Sequence, residues 1–254
     1  TSQYGCTKSA SKNIHVDSNP VITLTGPSEG CLHDSLDFKA SVTSSDEIIN
    51  RTWTLDGRPS GKSEAIRFGF QTEGLFNVGY EVKTKNGCSA SAFMPVPTRP
   101  LPDPNASPAN ATICMGSSVS LSATDGAQYQ WYPADGLRNA NSATPVATPL
   151  SNTKYFVKVT NQFGCVQYDS VMIRVDERVN LKHNQNMTMC EGSSVQLSAS
   201  GNTDQIMWSP MDGLNAGAGM QIVASPQTTT TYTVTGVSKN VCPDESSRIT
   251  VTVV

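Results

Sequence analysis

The sequence has no apolar run approaching the ~20 residues that cross a bilayer, so membrane insertion is excluded as a mode of action. Charge is scarce: Asp, Glu, Lys and Arg make up 15% of the chain, and the formal net charge is only −3. No basic run exists, and a phosphate-binding surface needs one, so nucleic acid is not a partner. Histidine is nearly absent. His15, His33 and His183 fall at unrelated positions, which leaves no metal cluster and no Ser-His-Asp set to assemble. There is no C-x-x-C pair, no G-x-S-x-G, no Walker sequence and no dinucleotide fingerprint. No stretch shows ten residues of helical periodicity. No signal peptide opens the sequence, so an exported chain of this kind is expected to be a mature product or an excised piece. These absences leave no catalytic, cofactor-binding or metal residue to name, and a non-enzymatic protein is expected.

What is present is polar, β-branched and repetitive. Ser (30) and Thr (26) supply about a fifth of the 254 residues, and there are seven cysteines. Cysteines in this number, without zinc spacing, fit a disulfide framework and an oxidising, extracellular location.

Two segments repeat in register. Cys114-Met-Gly-Ser-Ser-Val-Ser-Leu-Ser-Ala123 returns as Cys190-Glu-Gly-Ser-Ser-Val-Gln-Leu-Ser-Ala199. Trp131 and Trp208 follow, each leading into Pro-x-Asp-Gly-Leu, and Tyr155 and Tyr232 come 24 residues later. Cys165 and Cys242 lie another 10 residues on, and Pro149 and Pro226 also match. A divergent copy precedes them, with Cys31, Trp53, Tyr80 and Cys88. Cys88, Cys165 and Cys242 are spaced by 77 residues. Cys6, in Gln3-Tyr-Gly-Cys6, mirrors Gln162-Phe-Gly-Cys165.

Within each repeat the apolar period is two: Val119, Leu121 and Ala123 alternate with Ser, and Tyr155, Val157 and Val159 with Phe156 and Lys158. Asp-Gly, Asn-Gly and Pro-rich turns separate such runs. The expected fold is all-β, a series of β-sandwiches in an elongated rod, divided as 19–98, 99–176 and 177–254. Residues 1–18 read as the last hairpin of a preceding repeat, with Ile14 and Val16 in its final strand. The six prolines between Pro95 and Pro108 predict a stiff, extended linker.

The simplest cysteine pairing is within each repeat: Cys31–Cys88, Cys114–Cys165 and Cys190–Cys242. Each bridge would close a loop of just over 50 residues, worth about 4 kcal/mol. It should sit at one pole, tying a loop to a hairpin tip. Cys6 is then unpaired within these residues, either bonded to chain upstream or a free thiol. A catalytic thiol is the poorer reading, since no His partner accompanies any cysteine.

Trp53, Trp131 and Trp208, with Tyr80, Tyr155 and Tyr232, are expected as core anchors; the competing role for the tryptophans is sugar stacking. The Asp-Gly pairs lack the extra carboxylates that calcium needs and read as turns. Asp34-Ser-Leu36 and Asp169-Ser-Val171 resemble a bacterial O-glycosylation acceptor. Asn50, Asn110 and Asn186 open N-glycosylation sequons.

The second and third repeats resemble the Ig-like modules of long tandem arrays on secreted Bacteroidota surface proteins. The residues that carry the likeness are Cys-x-Gly-Ser-Ser-Val-x-Leu, Trp-x-Pro-x-x-Gly-Leu, Pro-x-x-x-Thr-x-Tyr and Gly164-Cys165. The first repeat is similar to PKD domains through Trp53-Thr-Leu-Asp-Gly57 and Glu73-Gly-Leu-Phe-Asn-Val78, though it departs from their Asp-x-Gly-Asp-Gly consensus. Gliding-motility adhesins of the SprB kind, exported by type IX secretion, are built from such arrays. The resemblance implies a stalk segment of a large cell-surface adhesin, acting in surface attachment or gliding motility. Its partners would be neighbouring repeats and surface glycans or other cell-surface proteins. Two rivals remain. One is a glycan-binding accessory module of a polysaccharide-degrading enzyme, using Tyr132, Phe163 and Tyr168. The other is a surface-filament subunit that exchanges its N-terminal hairpin.

Overall fold

Period-two patterning becomes strand wherever the sequence shows it. The computed structural model describes residues 8–13 and 16–254, and those residues hold 22 strands and no helix. The chain divides into two compact units, Thr1–Leu101 and Pro102–Val254.

The first unit holds one sandwich. Its strands are β1 (Val21–Thr25), β2 (Gly30–Cys31), β3 (Ser35–Thr43) and β4 (Ile48–Leu55), then β5 (Arg58–Gly61), β6 (Ala65–Gly69), β7 (Gly74–Thr84) and β8 (Ser89–Arg99). Sheet β1-β3-β6 faces sheet β2-β8-β7-β4-β5 across a core of Phe38, Trp53, Phe68, Phe70, Val78 and Tyr80.

The second unit holds two sandwiches. One comprises β9 (Asn110–Cys114), β10 (Val119–Ser120), β11 (Gln128–Tyr132), β12 (Leu137–Arg138), β13 (Val146–Ala147), β14 (Thr153–Thr160) and β15 (Val166–Asp176). The other comprises β16 (Lys182–His183), β17 (Met187–Met189), β18 (Val195–Ser200), β19 (Gln205–Ser209), β20 (Gln221–Ala224), β21 (Thr230–Val237) and β22 (Glu245–Val253). In each, a three-stranded sheet packs on a four-stranded one, β11-β14-β15-β9 in the first and β17-β22-β21-β19 in the second. The fold is a tandem of Ig-like β-sandwiches.

The repeated aromatic residues build the cores. Trp53, Trp131 and Trp208 are buried on β4, β11 and β19, and Tyr80, Tyr155 and Tyr232 on β7, β14 and β21. Each indole N–H donates to a backbone carbonyl: Ser63 at 2.9 Å, Ser142 at 3.1 Å and Gly219 at 2.9 Å. Burial without such a partner would cost the full desolvation of the N–H. The Asp-Gly turn has a matching purpose. The Tyr155 hydroxyl donates to the Asp135 carbonyl at 2.9 Å, and Tyr232 to that of Asp212 at 2.6 Å. Gly136 and Gly213, at φ 73° and 71°, turn the chain there. A Cβ on Gly213 would stand 2.7 Å from Pro226 backbone atoms, so the register of Asp-Gly with the distant proline is a packing requirement.

Two expectations change on contact with the structure. Pro95 and Pro97 are not linker: they lie in β8, opposite Asn77 and Leu75 of β7. Their missing N–H groups are tolerated because β2 covers only the last two residues of β8, leaving most of that side unpaired. At the N-terminus, Cys6 and Ile14 of the expected hairpin lie outside the described residues, while Val16 is exposed and in no strand.

Candidate functional site

The cysteines mark the two poles of each sandwich. One cysteine of each repeat sits where a short early strand runs parallel to the end of the last strand: Cys31 opposite Arg99, and Cys114 opposite Asp176. Cys190 directly follows β17, which pairs the end of β22 in the same way. The local bonding is the same three times. Leu32 N–H donates to Arg99 O at 2.8 Å, Met115 to Asp176 at 2.8 Å and Glu191 to Val254 at 3.1 Å. The other cysteine precedes the last strand, at the tip of the hairpin that leads into it. Asn161 shapes one such tip, its Oδ1 accepting from the N–H groups of Phe163 and Cys165 at 3.0 Å each. Asn240 shapes another, its Oδ1 accepting from Cys242 N–H at 2.9 Å.

This placement corrects the pairing expected from spacing. Asp176, beside Cys114, lies eleven residues beyond Cys165 along an extended strand, a distance of about 36 Å at ~3.3 Å per residue. A disulfide needs its Cα atoms within about 7 Å. Cysteines of one sandwich therefore sit at opposite poles and cannot meet. Instead Cys114 bonds to Cys242, 128 residues away, with a Cα–Cα distance of 4.8 Å. Cys88 and Cys190 are free thiols, so neither Cys31–Cys88 nor Cys190–Cys242 exists. Cys31 and Cys165 are each engaged in a disulfide.

The Cys114–Cys242 bridge joins the C-terminal pole of the second sandwich to a hairpin tip of the third, and the chain around it is fixed from both sides. Val241 N–H donates to the Asp176 carboxylate at 3.3 Å, and Asn240 Nδ2 to Glu177 O at 3.1 Å. Arg178 reaches back, its Nε donating to Met115 O at 2.9 Å. Asn202 clasps the connector, donating from Nδ2 to Arg178 O and accepting from Asn180 N–H at 2.7 Å. Val179 is buried against Gly236, and a Cβ on Gly201 would lie 2.5 Å from Asn180 O, so this approach requires glycine. The connector from 177 to 181 is thus packed structure and not a tether.

The junction has a mechanical consequence. Tension applied along the second unit passes from Cys114 to Cys242 through the sulfur atoms. Residues 115–241 lie in the covalent loop behind the bridge, so stretching the chain cannot extend their contour while the bridge holds.

The aromatic residues of the glycan rival are placed differently. Tyr132 and Tyr168 are exposed on the sheet of the second sandwich, and Phe163 is at its hairpin tip. Tyr132 stacks on Phe156 with centroids 5.5 Å apart and an interplanar angle of 16°, and Lys154 Nζ sits 5.1 Å from the Phe156 centroid.

Comparison with known proteins agrees with this architecture. Residues 102–180 match the family model described as Ig-like domain CHU_C associated. No curated protein matches the sequence. Among solved structures, the chain is similar to a three-Ig fragment of titin, domains I67–I69 in an E-to-A variant. The TM-score is 0.53 at 14% identity, over 92% of this chain and 98% of that one. An I-band fragment I67–I69 from titin gives a TM-score of 0.52 at 14% identity, over 95% and 100%. At this identity the likeness shows the fold alone.

Proposed function

We propose that the chain is a non-enzymatic, force-bearing repeat segment in the stalk of a large cell-surface adhesin, serving surface attachment or gliding motility. One observation carries the reading: the Cys114–Cys242 bridge joins two sandwiches covalently, so that tension cannot draw out the chain between them while it holds. An enzyme or a simple ligand-binding module has no need of such a bypass. The partition into 19–98, 99–176 and 177–254, with 1–18 ending another repeat, belongs to this reading. So do an extracellular, surface location in Bacteroidota, export by type IX secretion, and neighbouring repeats as partners.

Single-molecule extension tests it. Pulling from Pro102 and Val254, the oxidised protein should withhold the contour of residues 115–241, about 430 Å at ~3.4 Å per residue. Reduction should release it. Equal extension before and after reduction would remove the mechanical role. The glycan-binding alternative draws on the exposed Tyr132–Phe156 stack with Lys154 beside it. Tight polysaccharide binding lost on Tyr132→Ala would favour it over the stalk.

A further inference from the structure

Of the described cysteines, Cys88 and Cys190 alone are free thiols, and Cys190 is exposed. They are one of each kind: Cys88 stands at a hairpin tip and Cys190 beside the end of a last strand. Cys190 is framed as Cys114 is. Glu191 N–H bonds Val254 O as Met115 bonds Asp176 O, and Ser193 N–H bonds Cys190 O at 3.0 Å as Ser117 bonds Cys114 O at 2.8 Å. In that frame Cys114 holds the tip cysteine of the sandwich that follows it. We infer that Cys190 is a half-staple, a site at which the hairpin-tip cysteine of a further Ig-like module becomes disulfide-bonded.

The first sandwich gives an independent sign that tips are made for such junctions. Asn86, two residues before Cys88, donates from Nδ2 to the Asp17 carboxylate at 2.9 Å, in the segment leading into β1. Asn240, two residues before Cys242, donates from Nδ2 to Glu177 O, in the segment leading into β16. The same asparagine clasp therefore recurs at a tip whose cysteine still carries its thiol. The acceptor in the clasp at Glu177 is a backbone carbonyl, which any residue after Val254 would supply.

The bond forms when the Cys190 thiol and the partner's thiol give up two protons and two electrons to a disulfide donor. In the test that donor is oxidised glutathione, which leaves as two molecules of the reduced tripeptide.

The test has two arms, both read by non-reducing peptide mapping after cleavage before aspartates, which puts each cysteine of the 254 residues on its own peptide. In the first, a second copy of residues 177–254 follows Val254, carrying Met220→Leu as a mass tag, and the protein is oxidised with glutathione. A Cys190 peptide linked to the tagged tip peptide of the added copy is the expected result, with alkylation of Cys190 falling at least tenfold. In the second arm the 254-residue protein is oxidised alone. A Cys190–Cys88 link between two chains, lost in Cys190→Ser, would identify a second copy as the source of the same tip chemistry. If Cys190 stays alkylatable in both arms, bonds only glutathione, or displaces Cys114 from Cys242, the inference is overturned.

Discussion

Cys114 and Cys242 belong to different sandwiches, yet their Cα atoms stand 4.8 Å apart and their sulfurs are bonded. Their sequence separation of 128 places nearly all of two domains inside one covalent loop. On loop entropy such a bridge stabilises by about 5 kcal/mol.

Removing one partner should expose the other. Cys242→Ser is expected to make Cys114 alkylatable and to lower the urea midpoint of the third sandwich. Cys165→Ser should leave Cys114 protected. Alkylation of Cys114 in the Cys165 variant, and not in the Cys242 variant, would restore pairing within a repeat.

The indole anchors are expected to dominate each core. Trp208→Ala removes a buried ring and leaves the Gly219 carbonyl without its donor. The cost should be about 3 to 5 kcal/mol, read by denaturant titration. Trp131→Ala should cost a similar amount. A Trp208→Ala protein that melts unchanged would contradict the core role.

Alkaline pH should unfold the sandwiches through their tyrosines. Burial raises the phenol pKa of Tyr80, Tyr155 and Tyr232, and the nearby Asp135 and Asp212 carboxylates add to the rise at the last two. A raised folded value means the stabilisation is complete below the unfolded value of 10.0 and is lost as pH rises through the folded one. Absorbance titration should show Tyr80, Tyr155 and Tyr232 ionising above pH 10.0, together with loss of structure. Ionisation of Tyr80, Tyr155 and Tyr232 at pH 10.0 with the structure intact would refute this.

Acid should loosen the hairpin that carries Cys88. Asp46 is held below the ordinary carboxylate value of 3.8, chiefly by the Asn86 N–H that donates to it at 2.8 Å. A depressed folded value gives stability that is present above the unfolded pKa and lost as pH falls through the folded one. Hydrogen exchange at Asn86 should therefore accelerate below about pH 3.8 in the wild type. In Asp46→Ala it should be fast at neutral pH. An exchange rate that ignores both changes would exclude the carboxylate contact.

Much of this fold is legible in the sequence because burial in a sandwich has a period of two. Val157 and Val159 face the core, while Phe156 and Lys158 between them do not. The fixed offsets from Trp131 to Tyr155 and from Trp208 to Tyr232 reflect strand pairing, with Trp131 opposite Val157 and Trp208 opposite Val234. The disulfides were not legible, because repeat register shows which cysteines are equivalent and not at which pole each lies. That depends on the parallel ladder between β9 and β15, a contact between residues some 60 positions apart. One signal was present: each strand-end cysteine comes at the end of a short early strand of its repeat, and each tip cysteine comes shortly before the last strand. A strand of eleven residues separates the two poles.

Peptide mapping of the oxidised protein tests the junction most directly. After cleavage before aspartates without reduction, residues 103–124 should appear linked to residues 212–243, joining Cys114 to Cys242. Residues 103–124 linked instead to residues 135–168, joining Cys114 to Cys165, would contradict the staple and the force bypass built on it.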